Sequence, residues 1–337
     1  MNVREIARLT ASAAVFAVAL ISSRAQAAAP QLPATAIAED TYIVATVNVA
    51  KLAPASLDAS AKAVLGAQAA MVADGLAKYK AKYDEYAGTG AESVSFVMSG
   101  VPNQDGKPDP EPVVYVKFKA GSDQAAAEKK VREAQTKEGK TDDMEITHDG
   151  DFMIMHKKGV ELPKAPSADR ARAFAEILGD AEKAVTVAFN PTEKIRETLK
   201  KDLKPDASKP AWLQAMMPFL SDSKWAVVEA KFGEAPVIGI AIQAADETGA
   251  KGISDSVIQG GQQLKAQADL MKQAGPQFAG MVDAMNSMAD VLKPTQAGSK
   301  VSLSIDAKAV GPAVTNLLPF IMMGAGGGGA PPRAVPQ

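Results

Sequence analysis

The chain has 337 residues, a formal net charge of −2 and no cysteine. Disulfide bonds, thiol nucleophiles and cysteine-ligated metals are therefore excluded, and only two histidines are available for histidine-based chemistry. A near-neutral charge also argues against general nucleic-acid binding, which needs a basic surface. Apolar residues make up 47% of the sequence and aromatic residues only 5%, so we expect a core of aliphatic and methionine side chains.

The N-terminus has the three parts of a secretion signal. Arg4 and Arg8 precede an apolar run, Leu9–Ile21, and an A-x-A cleavage motif ends at Ala27. The run is shorter than the roughly 20 residues that span a bilayer, and Arg24 follows it. We therefore expect cleavage after Ala27 and a secreted or periplasmic product without a membrane span. A lipoprotein is excluded because no cysteine is available for acylation.

Residues 40–158 show strand and helix patterns in alternation. The strand predictions, from β-branched composition and alternation, are Tyr42–Val49, Ser93–Met98, Val113–Phe118, Asp143–His148 and Phe152–His156. One long helix is predicted over Ser56–Tyr86, and a second runs to Lys137 with Ser122 as its N-cap. The last two strands form a hairpin about Asp149-Gly150. This order predicts a split βαβ, ferredoxin-like unit with one extra strand.

The remaining chain gives a similar order of elements. Strands are predicted over Ala184–Phe189, Lys224–Phe232, Val237–Ala244 and Lys300–Asp306. Helices are predicted over Thr192–Leu203, Pro210–Leu220, Thr248–Leu292 with a break near Gly275-Pro276, and Val310–Met323. The Gly/Pro-rich end is expected to be a disordered tail.

Two pairs of segments also match in sequence. Glu111–Ala120 aligns with Ala235–Ala244, each with a proline that opens the strand, and Ile43–Asn48 aligns with Val185–Asn190. The fold prediction is therefore an α+β protein with two tandem split-βαβ halves, antiparallel sheets and long helices. The predicted organisation is a signal peptide over 1–27, a linker over 28–40, a first half over 41–165, a second half over 166–323 and a tail over 324–337.

Few residues suggest chemistry. His148 and Asp151 are close enough across a two-residue turn for a weak metal or acid–base site, but turn formation explains Asp149-Gly150 as well. The Asp105–Asp109 segment lacks the ligand spacing of a calcium loop, and Gly260-Gly261 lacks the Lys-Ser/Thr of a phosphate loop. We expect no catalytic residue, no cofactor and no metal.

Methionines give one candidate binding surface. Met281, Met285 and Met288 share one face of a predicted helix and could line an apolar groove for a lipid or a partner helix. The alternative is that they fill the core in place of the scarce aromatic residues.

The overall layout resembles that of uncharacterised secreted proteins of planctomycete-type bacteria, which have a signal peptide and two tandem α+β halves. The residues that carry the resemblance are Ala45–Leu52, where a strand leads into a helix, and Trp225–Val228, before the second hairpin. It covers about 40–310 and implies no catalytic residues.

The leading functional hypothesis is a non-catalytic binding or structural role in the periplasm or cell envelope, with an envelope protein or an apolar ligand as partner. One alternative is a hydrolase whose paired carboxylates are brought together only by the fold. Another is an apolar-ligand carrier that uses the methionine-rich helices.

Overall fold

A computed structural model of the chain describes residues 32–33, 35–86, 89–101, 110–137, 143–160, 162, 166–179, 183–202, 219, 223–311 and 313. Its strands are β1 (Thr41–Asn48), β2 (Ala91–Ser99), β3 (Val113–Phe118), β4 (Met144–Asp149), β5 (Phe152–Lys157), β6 (Val185–Phe189), β7 (Ser223–Lys231), β8 (Val237–Ala244), β9 (Thr295–Ala297) and β10 (Lys300–Asp306). Its helices are α1 (Pro54–Leu65), α2 (Ala73–Tyr86), α3 (Gln124–Lys137), α4 (Ala168–Leu178), α5 (Glu193–Asp202), α6 (Glu247–Ala274) and α7 (Ala279–Val291).

All ten strands form a single sheet in which neighbouring strands are antiparallel. The order is β4-β5-β3-β2-β1-β6-β7-β8-β10-β9. The N-terminal strand group, β1–β5, therefore occupies one side of the sheet, and the C-terminal strand group, β6–β10, occupies the other. The two groups meet where β1 pairs with β6. The predicted α+β class and antiparallel sheet are confirmed.

One face of the sheet, here called face A, carries Val47, Val116 and Ile242. In the N-terminal group this face packs beneath α1, α2 and α3, with Tyr83 and the α3 side chains Ala127 and Val131 in the buried cluster. In the C-terminal group it packs beneath α6, whose Ile253 is fully buried against Ile242. Burial of aliphatic side chains on this face gives both groups a hydrophobic core.

The opposite face is called face B. In the N-terminal group it is covered by elements other than α1, α2 and α3. Its buried side chains include Val97 and Tyr115, which belong to one buried cluster with Ile37 and with Phe174 and Leu178 of α4. Helix α4 itself contacts β6 and β7. Burial raises the pKa of Tyr115 to about 12, which fits a phenol held away from solvent.

The predicted ferredoxin-like order is not observed. In a split βαβ unit, the strands that flank the first helix are parallel, with another strand between them. Here β1 and β2 are direct antiparallel neighbours. The reason is that the single helix predicted over Ser56–Tyr86 is broken: α1 ends at Gly66, a 3-10 segment, Gly66–Val72, follows, and α2 then begins. A helical hairpin returns the chain to the end of the sheet from which it left.

Two connections within the described residues have the split arrangement: β3 through α3 to β4, and β8 through α6 and α7 to β9, where β10 pairs antiparallel with both β8 and β9. Strand β5 pairs antiparallel with both β3 and β4, so that β3 and β4 are parallel with β5 between them. The predicted break near Gly275-Pro276 is confirmed by the end of α6 at Ala274.

Other predictions differ in detail. The N-cap of α3 is Asp123, whose carboxylate accepts from the Ala126 amide at 3.0 Å, rather than Ser122. The hairpin turn is Gly150-Asp151 rather than Asp149-Gly150. Helix α4 and the short strand β9 were not predicted. The signal peptide, the Asp105–Asp109 loop, the helix over 210–220 apart from residue 219, and the tail over 324–337 lie outside the described residues.

Candidate functional site

The predicted cluster at His148 is a structural contact between β4 and α3. The imidazole Nδ1 lies 2.8 Å from Gln124 Oε1, and Nε2 lies 2.9 Å from Glu128 Oε2. The same carboxylate accepts from Arg132 at 2.8 Å. Hydrogen bonds from His148 and then Arg132 lower the pKa of Glu128 from its ordinary value. His148 therefore holds α3 on the sheet.

The contacts recorded for the two aspartates of that predicted cluster do not involve His148. Asp149 accepts from the Thr35 hydroxyl at 3.5 Å, and the Asp151 carbonyl accepts from the Phe118 amide at 2.8 Å. The second histidine, His156, is 5% exposed and lies 3.2 Å through Nδ1 from the Lys157 carbonyl. Across the part of the chain that the structure describes, no three metal-ligating side chains come together.

The predicted methionine surface lies on α7, which packs along α6. Met281 and Met285 are half-buried, whereas Met288 is 41% exposed. The two helices approach closely at Gly261, where an added Cβ would lie 3.4 Å from the Ala289 carbonyl oxygen. Gly261 therefore serves the packing of α6 against α7, as small residues do at close crossings, whereas an added Cβ at Gly260 would meet nothing within 4 Å. Leu270, on α6, is 66% exposed.

A polar junction lies where β1 meets β6, around Arg170 of α4. Its Nη2 donates to the carbonyls of Thr41 and Asn190, one at the edge of each strand group. The guanidinium also lies 5.3 Å from the Phe174 ring centroid. Burial lowers the pKa of Arg170, and the Glu39 carboxylate acts in the opposite direction.

On face B of the C-terminal group, β6 and the middle of β7 are covered, since Ala188 and Val227 are buried and α4 contacts both strands. Beyond them, most side chains of this face are small or polar. Three neighbouring strands bring Trp225, Gln243 and Lys300 into one row, and Glu229 and Gly239 lie opposite each other in a parallel row. We call this surface the open face. Its residues, all half-buried or exposed, are Trp225, Glu229, Gly239, Ala241, Gln243, Lys300, Ser302 and Ser304.

Larger groups stand at the two ends of the open face, and small groups form its floor. At one end Lys300 Nζ lies 5.9 Å from the Trp225 ring centroid. At the other, Glu229 forms a 2.9 Å ion pair with Lys183. Between these ends Ala241 and Ser302 are paired across β8 and β10, and the buried Val227 of β7 lies opposite Ala241. The arrangement is a shallow polar surface with one aromatic ring, an amide, hydroxyls and charges of both signs.

The buried polar side chains among the described residues are hydroxyls, one glutamine and one histidine, and none is a carboxylate. The charged side chains form ion pairs at the surface instead, such as Lys265 with Asp290 at 2.8 Å. No helix within the described ranges is both long and apolar enough to span a membrane.

The chain matches no protein-family model, no curated protein and no solved structure.

Sequence reasoning missed the open face and Arg170. Alternation predicted the strands β7, β8 and β10, but which side of each strand is covered depends on helices elsewhere in the chain. A signal was present in the residues themselves: the outward positions Gly239, Ala241 and Ser302 are too small to build a second core layer.

Proposed function

We propose that the protein is exported and acts as a non-catalytic binding or structural component of the periplasm or cell envelope, with the open face as its binding surface. The N-terminal pattern of Arg4, Arg8, an apolar run and an A-x-A motif supports export. The observation that carries the binding role is the contrast on face B: the N-terminal group is covered there, whereas β8 and β10 of the C-terminal group present a mostly polar surface beside Trp225.

The chemistry of the open face favours a polar partner with a flat apolar side. Trp225 supplies an aromatic surface. Gln243 lies opposite it, with its Nε2 donating to the Ser299 hydroxyl at 2.6 Å, and the Ser302 hydroxyl lies in the next row. Sugar rings of cell-envelope glycans have both properties. Glycan fragments are therefore the partner that we propose.

We also propose that the chain consists of two related halves. In the alignment of Ile43–Asn48 with Val185–Asn190, Tyr42 corresponds to Ala184. The Asn48 amide donates to the Ala184 carbonyl at 2.8 Å, and the Asn190 amide donates to the Tyr42 carbonyl at 2.9 Å. Each of these two hydrogen bonds becomes the other when the two halves are interchanged. This symmetry supports a duplication.

Irregular features recur at corresponding positions as well. The register shifts once at the start of β2, between Ala91 and Ser93, and once at the start of β7, between Ser223 and Trp225. Opposite these shifts stand Phe118 and Ala244. β-Bulges are position-specific features, so their recurrence supports a common origin.

The hairpins β4–β5 and β9–β10 also share a turn conformation and a backbone hydrogen bond. Each turn begins with a glycine at positive φ, 57° at Gly150 and 58° at Gly298. The residue after it accepts a 2.8 Å backbone bond, at Asp151 from Phe118 and at Ser299 from Ala244. Phe118 therefore corresponds to Ala244, two positions from the pairing in the sequence alignment.

The binding proposal is tested by calorimetric titration of the mature protein with soluble cell-wall glycan oligomers. We expect saturable binding that is lost in Trp225→Ala and partly retained in Trp225→Phe, which keeps an aromatic ring. Met288→Ala, on α7, is the matched control and should leave the affinity unchanged. Fatty-acid binding weakened by Met288→Ala would instead support the apolar-carrier alternative, for which the exposure of Met288 and Leu270 is the favourable observation.

Export is tested separately by fractionation of the source cells and intact-mass measurement. We expect a periplasmic or extracellular protein that begins at Ala28. A cytoplasmic protein with its N-terminal segment intact would contradict the proposal.

A further inference from the structure

The pairing of β1 with β6 has the geometry of a two-fold interface. Ala45 lies opposite Val187, and the sequence alignment makes these two residues equivalent. On either side, Val44 faces Ala188 and Thr46 faces Thr186. A rotation of 180° about the Ala45–Val187 pair therefore exchanges the two strands without changing the register, as it does where identical subunits pair isologously.

The edges of β1 and β6 are matched in polarity as well as in register. In an antiparallel pair the hydrogen-bonded positions alternate. Because Asn48 bonds to Ala184 and Asn190 bonds to Tyr42, the amides of Val44 and Thr46 point towards β6. Each edge thus offers the donors and acceptors that the other edge requires.

Helix α4 packs over the β1–β6 pair on face B. It precedes β6 in the chain, yet Phe174 and Leu178 pack in one buried cluster with Val44 of β1 and Ala188 of β6. Arg170 donates to one carbonyl on each side of the junction. Contact with both strand groups makes α4 part of the interface rather than a simple connection.

We propose that the two strand groups recognise each other non-covalently, so that the β1 edge is a binding surface whose partner is β6 of the same chain or of a second copy of this chain. The inference rests on the two-halves part of the proposed function, but not on export or on the open face. A chain cut between the groups stays assembled, and two cut chains exchange their strand groups.

The test uses the full mature chain with a protease site inserted within residues 163–165. After cleavage, we expect both fragments to co-elute in gel filtration as one complex of monomer mass. Isotope-labelled and unlabelled cut chains, mixed in sub-denaturing urea and returned to buffer, should give complexes of mixed mass in native mass spectrometry. Fragments that separate or aggregate after cleavage, while the uncut parent remains folded, would overturn the proposal, as would a lack of mixed-mass species.

A pair of arginine variants locates the recognition at the junction. Arg170→Met keeps an apolar chain over Phe174 but removes the bonds to Thr41 and Asn190. We expect it to raise the dissociation constant of the fragments by about ten- to a hundredfold, since hydrogen bonds from a charged group are lost. Arg172→Met, at an exposed position of the same helix, should have no effect. Equal effects of the two variants would contradict the role of α4.

These outcomes are distinguishable from those of the binding experiments. Fragments that exchange, from a protein that binds no glycan, would leave the interface intact and remove only the proposed ligand.

Discussion

The two strand groups have corresponding strand orders, and helices pack on face A of both. They differ in the side chains of face B. In β3 of the N-terminal group, Val113 and Tyr115 are buried, in a cluster that also contains Ile37. In β8 of the C-terminal group, Gly239 and Ala241 are only half-buried. A sheet that is covered on both faces needs bulky side chains on both, whereas a sheet with one free face needs them on one only.

This comparison distinguishes residues that serve packing from residues that remain at the surface. The covered group has little surface left for a partner on either face, so its side chains serve packing. The open face contributes little to packing, so substitutions there should cost little in stability. The substitutions below are therefore expected to differ strongly in cost between the two groups.

The largest effect is expected for Phe174→Ala in α4. The ring is 1% exposed and lies in the buried cluster of face B that includes Val44 of β1 and Ala188 of β6. Its removal leaves a cavity, and we expect the free energy of unfolding to fall by about 3–5 kcal/mol in urea denaturation. Leu270→Ala is the control, because that side chain is 66% exposed and its loss should cost less than about 0.5 kcal/mol. Similar losses in both variants would break the comparison.

A second, smaller effect is expected where α6 and α7 cross. Gly261→Val places a branched side chain against the Ala289 carbonyl, which already lies 3.4 Å from the position of a Cβ. We expect a loss of about 1–3 kcal/mol in the free energy of unfolding from overpacking. Gly252→Ala, where an added Cβ meets nothing within 4 Å, should instead stabilise α6 by up to about 1 kcal/mol. Equal effects would show that the helices can move apart at low cost.

The sequence predicted most strand positions but not how the strands are ordered. Val113–Phe118, Val237–Ala244 and Lys300–Asp306 are strands with the predicted bounds, because alternation of β-branched and polar residues is a local signal. Strand order depends on whether a helical stretch crosses the sheet once or folds back. That depends on Gly66, at φ 53°, within a stretch that has helical periodicity on both sides.

The candidate site was less accessible to prediction for a similar reason. His148 stood out because histidine and aspartate occur together at a turn. In the structure its imidazole contacts Gln124 and Glu128 of α3, which are distant from His148 in sequence. The open face involves β7, β8 and β10, so its composition becomes visible only when the pairing register is known.

A third prediction concerns the open face, where substitutions should be tolerated. Lys300→Met removes the cation 5.9 Å from the Trp225 ring centroid and should cost about 0.5–1 kcal/mol in the free energy of unfolding. Fluorescence in a Trp212→Phe background, which leaves Trp225 as the only indole, should report the loss of the nearby charge as a spectral shift. Lys308→Met, at an exposed position after β10, is the control. A loss as large as that of Phe174→Ala would mean that this face is part of the core.

The smallest expected effect is a difference between the two strand groups in how stability depends on pH. At corresponding hairpins, His148 bonds the Glu128 carboxylate, whereas Gln296 donates to the Glu247 main-chain carbonyl at 3.4 Å. The pKa of Glu128 is lower in the folded protein than the roughly 4.3 of an unfolded chain. Its contribution is therefore present above the unfolded pKa and is lost as the pH falls through the folded pKa.

Glu128→Gln should accordingly reduce the free energy of unfolding at pH 7 by less than about 1 kcal/mol, because the pair is partly solvated. The difference from the parent should shrink as the pH falls from the unfolded pKa through the lower folded pKa of Glu128. Gln296→Leu removes the corresponding contact of the C-terminal group and should change stability equally at pH 7 and pH 3. Urea midpoints of the three proteins at pH 7 and pH 3 test this. A pH-dependent difference in Gln296→Leu would show that the ionisable contact is not confined to the N-terminal group.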